Sequence, residues 1–319
     1  MPVISYHASH EQFTPSNLLQ WAIAAEQSGF AAVNSSDHFH PWSVRQGQSG
    51  FSFAWLGAAM QATKLPFGVV CAPGQRYHPA IVAQAAATLC EMFPGRFWMS
   101  LGSGEALNEN ITGDKWPHKQ HRNERLLESV QVMRRLLNGE VVTHHGKVVV
   151  EEAKLYTLPK QLPLLLGAAV TDKTAEWVGS WADGMITVHK PINDLKKTLE
   201  AFKRGGGAGK PVYLKVQLSY AKDKQAATEG AWDQWRSNIL DGEILDDLWR
   251  PEQYDAASRY VRKEDLHEMV HISDDAKFFI DLIHQYSDLG IDNIVLHNVN
   301  TQQELFIKDF GEKVLPHVQ

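Results

Sequence analysis

The chain has 319 residues, 44% of them hydrophobic and 21% charged, with a formal net charge of −6; this balance gives no reason to expect nucleic acid or an anionic membrane as partner. Cys71 and Cys90 are the two cysteines and stand in no CxxC spacing, which argues against a disulfide framework or a thiolate zinc site. No apolar run approaches the roughly 20 residues of a membrane span, and Met1-Pro2-Val3-Ile4 reads as the start of a strand and not as a signal peptide, so a cytoplasmic enzyme is expected.

Short apolar runs alternate with longer segments of helical period, the pattern of parallel strands joined by crossover helices. Residues 3–6 form the first strand. Thr14-Pro15 supplies a cap and an N1 proline for a helix that stops at Gly29. Residues 30–34 are the second strand, 53–63 a helix, 65–71 the third strand, 79–90 an Ala-rich helix and 96–101 the fourth strand. After an amphipathic helix over 123–137, residues 141–150 and 155–158 alternate around Gly146 like an inserted hairpin. Strands five and six fall at 164–169 and 184–188, with helices over 171–181 and 195–203. The Gly205–Gly209 run reads as a flexible connection, 212–219 as the seventh strand, and 223–272 as irregular helices. Ser273 caps a helix to Gly290, 293–297 is the eighth strand, and a helix over 302–314 closes the chain.

Eight strands, each followed by a helix, predict a (β/α)8 TIM barrel. The expectation is a single domain over 1–319 with insertions near 139–160 and 223–272. A doubly wound sheet competes, but no G-x-G-x-x-G follows the first strand.

In a barrel, chemistry gathers where strands end. This sequence puts Asp37, His38 and Trp42 after strand two, Val69 and Val70 at the end of strand three, and Ser103, Glu105 and Asn108 after strand four. Ala168, Ala169, Val170 and Thr171 follow strand five, and His189 and Lys190 strand six. Titratable groups thus converge on one rim. Each has a rival reading: Glu105 as a helix cap, Trp42 as packing, and His40, His78, His189 and His297 as hydrogen-bonded rim or core histidines. His118, His121, His144 and His145 show no metal-ligand spacing, so no metal is expected. Residues 168–171, small and leading into a helix, form a candidate phosphate seat to which Lys173 can add.

Ser36-Asp37-His38-Phe39-His40-Pro41-Trp42, Arg76-Tyr77-His78-Pro79, Pro94-Gly95-Arg96 and Gly102-Ser103-Gly104-Glu105-Ala106-Leu107-Asn108-Glu109 resemble the luciferase-like oxidoreductases, nearest to the branch of the F420-dependent glucose-6-phosphate dehydrogenases. The resemblance runs from the first strand to the last helix. It implies a homodimeric TIM barrel that binds a small-molecule substrate and either the deazaflavin coenzyme F420 or, as in an offshoot of that branch, FMN. It further implies that His38 takes a substrate hydroxyl proton, that Glu105 supplies a proton to the ring and that Trp42 lies against the developing charge. Asp37, Ser103 and Asn108 match cofactor contacts, Val69-Val70 a non-prolyl cis peptide at the ring face, and Glu11 and Lys190 positions near the substrate. Two departures are notable. The family's other phosphate-holding basic positions fall near Tyr254-Asp255 and Glu268-Met269, leaving Arg259, Arg262 and Lys263 as substitutes only in a shifted register. The family's Gly-Gly at the cofactor phosphate becomes Val170-Thr171.

The sequence therefore reads as a flavin- or deazaflavin-dependent hydride-transfer enzyme acting on a small alcohol or aldehyde and not on glucose 6-phosphate. An FMN-dependent monooxygenase is the alternative enzyme, and a flavin-binding carrier or sensor the alternative without turnover.

Overall fold

Strand alternation decides which side chains meet inside this molecule. A computed structural model describes residues 1–240 and 242–318. In chain order its strands are β1 (Val3–Ala8), β2 (Ala32–Ser36), β3 (Phe67–Cys71), β4 (Phe97–Leu101), β5 (Val142–His145), β6 (Val149–Ala153), β7 (Leu164–Ala168), β8 (Gly184–Val188), β9 (Val212–Ser219), β10 (His271–Ile272) and β11 (Asn293–Asn298). Eight of them pair in parallel in the order β9-β11-β1-β2-β3-β4-β7-β8, and β8 pairs back to β9. The sheet is closed: a (β/α)8 barrel, with its eight strands where the apolar runs predict them. β5 and β6 form a separate antiparallel hairpin, and β10 adds a short rung at the tip of β9 (His271↔Leu218).

On β1, Ile4, Tyr6 and Ala8 point outward and are wholly buried under helices, with Tyr6 against Phe30 and Phe306. Ser5 and His7 point into the barrel, where Ser5 Oγ donates to Asn293 Oδ1 at 2.7 Å and the His7 and His297 rings lie 4.3 Å apart. The amino-terminal end of the lumen is filled by Ala32, Trp98 and Leu166, with Tyr213 packed edge-on to Trp98 at 5.6 Å. Trp98 fits because position 68 has no side chain; a Cβ there would lie 2.0 Å from the indole. Arg96, from the Pro-Gly-Arg motif, sits at this same end and donates to the carbonyls of Met60, Thr63 and Leu65, tying the connection into β3 to the start of β4.

Helix ends follow local chemistry. Thr14 accepts from Asn17 N with Pro15 at N1, and His78 accepts from Ala80 N with Pro79 at N1. Three details differ from the sequence expectation. The glycine run is in part packed: Lys203–Gly207 is a π-helical turn, a Cβ on Gly205 would lie 1.8 Å from the Glu176 carbonyl oxygen and one on Gly207 2.6 Å from the Phe202 ring, whereas Gly209 stands in open space. The glycines permit backbone to touch backbone. Residues 155–158 form no strand, because β6 already completes the hairpin. The cap of helix Ala276–Ser287 is Asp275, which accepts from Lys277 N; Ser273 sits two residues earlier and accepts from Asp275 N.

Candidate active site

β2 delivers the chain to the carboxyl-terminal rim, where Asp37 and His38 leave the strand in opposite directions. Asp37 turns inward to a buried polar knot. Its Oδ1 accepts from Ser52 Oγ at 2.6 Å and from Tyr77 OH at 3.2 Å, and its Oδ2 from Arg76 Nη2 at 2.8 Å. Arg76 also faces Glu109, with its backbone N donating to Glu109 Oε2 at 2.7 Å. The Asp37 side chain is 1% exposed and the Arg76 side chain 6%. The Arg-Tyr-His-Pro motif is thereby accounted for: two residues grip Asp37 and two start a helix.

His38 faces the mouth. Its Nε2 lies 3.2 Å from Glu11 Oε1, and its Nδ1 lies 3.1 Å from Asn108 Nδ2. Asn108 Oδ1 accepts from the Phe39 and His40 amides, so its amide group is fixed with Nδ2 toward the imidazole. Nδ1 of neutral His38 is therefore an acceptor, and the ring proton sits on Nε2, shared with Glu11. The other Glu11 oxygen accepts from Ser9 Oγ at 2.9 Å and Ser36 Oγ at 2.6 Å. Burial alone pushes the Glu11 carboxyl up, but His38, Lys215 and the Ser36 hydroxyl outweigh it and hold the group below its ordinary value. Burial holds His38 below the ordinary imidazole value, with Glu11 opposing and Arg76 assisting. Trp42 covers His38 at 4.9 Å between ring centroids and itself rests on Tyr254 at 5.5 Å.

The tip of β4 brings the third component. Glu105 precedes the short helix Ala106–Glu109; its carbonyl accepts from Asn108 N and Glu109 N, but its side chain makes no cap hydrogen bond. The carboxylate is instead within electrostatic reach of Lys215, a β9 residue that also faces Glu11. Glu11 and His38 are thus in contact, and both Glu11 and Glu105 act electrostatically on Lys215. Ser103 Oγ accepts from Lys119 Nζ at 3.0 Å.

Val69 and Val70 lie in an unbroken parallel ladder, paired to Ser35 and Ser36 on one side and to Met99 and Ser100 on the other. No cis peptide occurs among the described residues, which corrects the cis bond implied at Val69-Val70; register on both flanks is met by the trans chain, and a non-prolyl cis bond costs about 3–4 kcal/mol. Val69 is fully buried behind the strand, and Val70 is the one that faces the mouth. Ala168 ends β7 where a Cβ on Gly102 would just meet it at 3.8 Å, Val170 is 61% exposed, and Thr171 caps helix Asp172–Gly179 through Thr174 N. Lys190 Nζ donates to the Val170 carbonyl at 2.6 Å and to Thr198 Oγ1 at 3.0 Å, which places it beside this seat.

The rim histidines follow their hydrogen-bonded reading. His40 contacts the Leu107 carbonyl, His78 the Val149 carbonyl, His189 the Gln217 side chain and His297 the Gln12 side chain. At the departures from the family pattern, Tyr254 is fully buried under Trp42 and Asp255 is ion-paired with Arg45. Arg262 pairs with Asp265 and is 75% exposed, and Lys263 pairs with Glu229, so neither cation is turned to the mouth. Arg259 and Glu268 are exposed and Met269 is 41% exposed.

Sequence reasoning missed Lys215, Gln12 and the catch formed by Gln46 and Gln234. Gln12 donates to Gln234 Oε1 and to the Val299 carbonyl, and Gln46 joins Gln234 to the loop of Trp42. Lys215 carried a signal, the one charged residue of its strand, set between Leu214 and Val216. The glutamines carried none.

A closed barrel with an imidazole and two carboxylates at its mouth defines a class of barrel enzyme suited to proton-coupled chemistry. The family model described as luciferase-like monooxygenase matches residues 2–293, and the chain belongs to the luciferase-like family of oxidoreductases. It is 32% identical to the F420-dependent glucose-6-phosphate dehydrogenase of Tsukamurella paurometabola over 99% of this chain and 98% of that one. It is 34% identical to the protein of the same name from Nakamurella multipartita, over 98% and 96%. Among solved structures, an F420-dependent secondary alcohol dehydrogenase in complex with an F420–acetone adduct superposes with a TM-score of 0.93 at 32% identity, with both chains covered in full.

Proposed function

We propose that this protein uses coenzyme F420 to interconvert a small, uncharged alcohol and its carbonyl compound by hydride transfer. The observation that carries the reading is the His38–Glu11 pair at the mouth, fixed by Asn108 on one side and by Ser9 and Ser36 on the other.

The residues present fit a flat ring with polar edges. Nδ1 of His297 is buried without a partner in the lumen, and Trp42 supplies an aromatic face. Val70, Ser103, Ala168 and Ala169 would hold the ring, and Val170 and Thr171, with a helix start behind them, its phosphate end. Asp37, Val69 and Asn108 serve from behind: the first fixes the loop, the second the strand, the third the imidazole. When bound, the deazaflavin ring takes up or gives back the hydride.

The protein moves the protons. With Nε2–H directed at Glu11, a hydroxyl proton entering the mouth is taken by the His38–Glu11 pair as a unit, so the pair and not either group alone sets the proton affinity. Glu105, from the neighbouring strand tip, is the acid on the other side. Trp42 closes the chamber against water. The charges in the chamber also select the substrate. Glu11 and Glu105 both lie within electrostatic range of Lys215, and among the described residues the cations near the family's other phosphate positions are already paired: Arg45 with Asp255, Arg262 with Asp265 and Lys263 with Glu229. A dianionic phosphate has no bidentate partner there.

The test is to titrate the purified protein with F420 and with FMN, then follow loss of the oxidised deazaflavin absorbance on adding secondary alcohols or glucose 6-phosphate. Bleaching by a neutral alcohol and none by the sugar phosphate is expected. Faster bleaching by glucose 6-phosphate, or tight binding of FMN alone, would overturn the reading.

A further inference from the structure

The loop that carries Trp42 is fastened to the inserted helices and not only to the barrel. Helix Lys224–Trp235 ends, like any α-helix, with carbonyls that have no partner inside the helix. Two of them are met from the loop: Arg45 Nε donates to the Asp233 carbonyl at 2.8 Å and Gln46 Nε2 to the Gln234 carbonyl at 3.0 Å. A guanidinium is the favoured charge at that end of a helix. Helix Pro251–Ala257 is met as well. Arg45 Nη1 pairs with Asp255 Oδ1, Asp255 Oδ2 accepts from Val44 N at 3.0 Å, and Tyr254 lies against the Trp42 ring. On the barrel side, Gln48 N donates to the Glu11 carbonyl at 3.0 Å.

We propose that Arg45 and Gln46 are positioning residues: by capping the inserted helix they hold Trp42 over the His38–Glu11 pair, and so act on the bound alcohol and not on the cofactor.

Gln46 joins the two ends of this clasp. Its Oε1 accepts from the Trp42 amide at 2.9 Å while its Nε2 is committed to Gln234, so both halves of a buried amide are used. Its backbone N donates to the Ser43 carbonyl at 3.2 Å, which closes a turn over residues 43–46. Trp42 lies 4.9 Å from His38 between ring centroids. It leaves that place only if its amide lets go of Gln46 or the whole turn leaves the helix end. The helix end is in turn located by the barrel: Gln234 Oε1 accepts from Gln12 Nε2 at 3.1 Å, and Gln12 Oε1 meets His297 Nε2 of β11 at 3.0 Å. Indole, turn, helix end and barrel wall thus form a closed circuit of short contacts. The side chains of Arg45 and Asp255 are 22% and 23% exposed, so solvent screens their pairing in part and the capped carbonyls supply more of the hold. Among the described residues neither Arg45 nor Gln46 bonds through its side chain to His38 or to residues 168–171, so their effect reaches the chemistry through Trp42.

The inference rests on the reading of Trp42 as the cover of the proton-transferring pair, and two readouts are independent of turnover. In the protein without added cofactor, amide exchange over residues 42–48 is followed by mass spectrometry, and modification of His38 by diethyl pyrocarbonate is located by peptide mapping. In Arg45→Met both are expected to quicken about tenfold, the scale of one lost charged hydrogen bond, while exchange over β1 and β2 stays as in wild type. In Arg45→Lys, which keeps a cation at the helix end, both should remain within about threefold of wild type. With F420 bound, the KM for a small secondary alcohol should rise about tenfold in Arg45→Met while the Kd for F420 stays within about twofold. Unchanged exchange, unchanged modification of His38, or a Kd that rises with the KM would overturn the proposal, as would an Arg45→Lys variant as loose as Arg45→Met. If no alcohol reduces F420 with the wild-type protein, the functional reading fails while exchange and His38 modification still decide whether the clasp holds Trp42. Gln46→Leu stands in if Arg45→Met does not fold. Failure of both to fold, with Arg45→Lys folded, would make these contacts a folding element and equally overturn the proposal.

Discussion

The two ends of the barrel are made by the same eight strands and finished in opposite ways. At the amino-terminal end, Trp98, Leu166 and Ala32 close the lumen and Arg96 is anchored by carbonyls of the preceding connection. At the carboxyl-terminal end, His10, His297 and Ser100 leave buried polar atoms without partners, and Glu11 and Glu105 act on Lys215. Unmet polar capacity costs free energy; among the described residues the floor retains it at Trp98 Nε1, while the mouth end retains it at several atoms, and there a ligand can repay that cost. Substitutions at the floor should therefore show in unfolding and those at the mouth in turnover.

The strongest challenge to that division is His38→Ala. It should lower F420-linked turnover by at least about 100-fold, the lower range for a lost general base, while F420 affinity measured by fluorescence quenching stays within a few-fold and the thermal midpoint barely moves. Equal loss of affinity and turnover would mean the imidazole holds the ring. Arg76→Leu tests the boundary between the two regions. It leaves Asp37 and Glu109 buried without their cation and should cost about 3–5 kcal/mol in urea unfolding, although both carboxylates lie at the mouth end. At the floor, Gly68→Ala places a methyl 2.0 Å from the Trp98 indole; the overpacking should cost about 1–3 kcal/mol, with turnover per folded molecule unchanged. A turnover loss larger than the loss of folded protein would show that the two ends are coupled.

How much of this was legible in the sequence depends on how far apart the cooperating residues lie. The strands, and with them the rim, could be located because each apolar run is a local signal, and His38 and Glu105 followed from their places after β2 and β4. The grip on Asp37 was half legible, since Arg76 and Tyr77 stood in a recognisable motif but nothing local said that they turn back 39 and 40 residues. Contacts made only by barrel closure were illegible: His297 meets Gln12 across 285 residues, and Gln12 meets Val299 across 287. The glycine run from 205 looked like a loose connection because glycine serves both freedom and close approach, and only the packing against Glu176 tells which one operates.

The smallest effect separates buried histidines that have a carboxylate partner from those that do not. His38 has Glu11 to favour its charged form, whereas His189 and His271, stacked at 4.5 Å beyond the tips of β8 and β9, have none. Burial, with His271 adding to it, lowers His189 to about 3, and burial alone lowers His271 to about 4. Both are neutral in the folded chain and free to protonate in the unfolded one. Below the unfolded value of about 6.5 the unfolded state binds the extra proton, so their contribution is fully present above that pH and is lost as pH falls toward the folded values. For each such imidazole the slope is about 1.4 kcal/mol per pH unit. His271→Gln, which keeps a polar group toward the Tyr286 hydroxyl that His271 now meets at 3.0 Å, removes one titrating group. Its urea stability should fall less steeply than wild type between pH 6 and about pH 4, by that single-proton slope, while the pH profile of turnover stays where the His38–Glu11 pair sets it. Parallel stability curves would mean that His271 already titrates normally in the folded chain, and that burial at this rim is looser than the stacked rings imply.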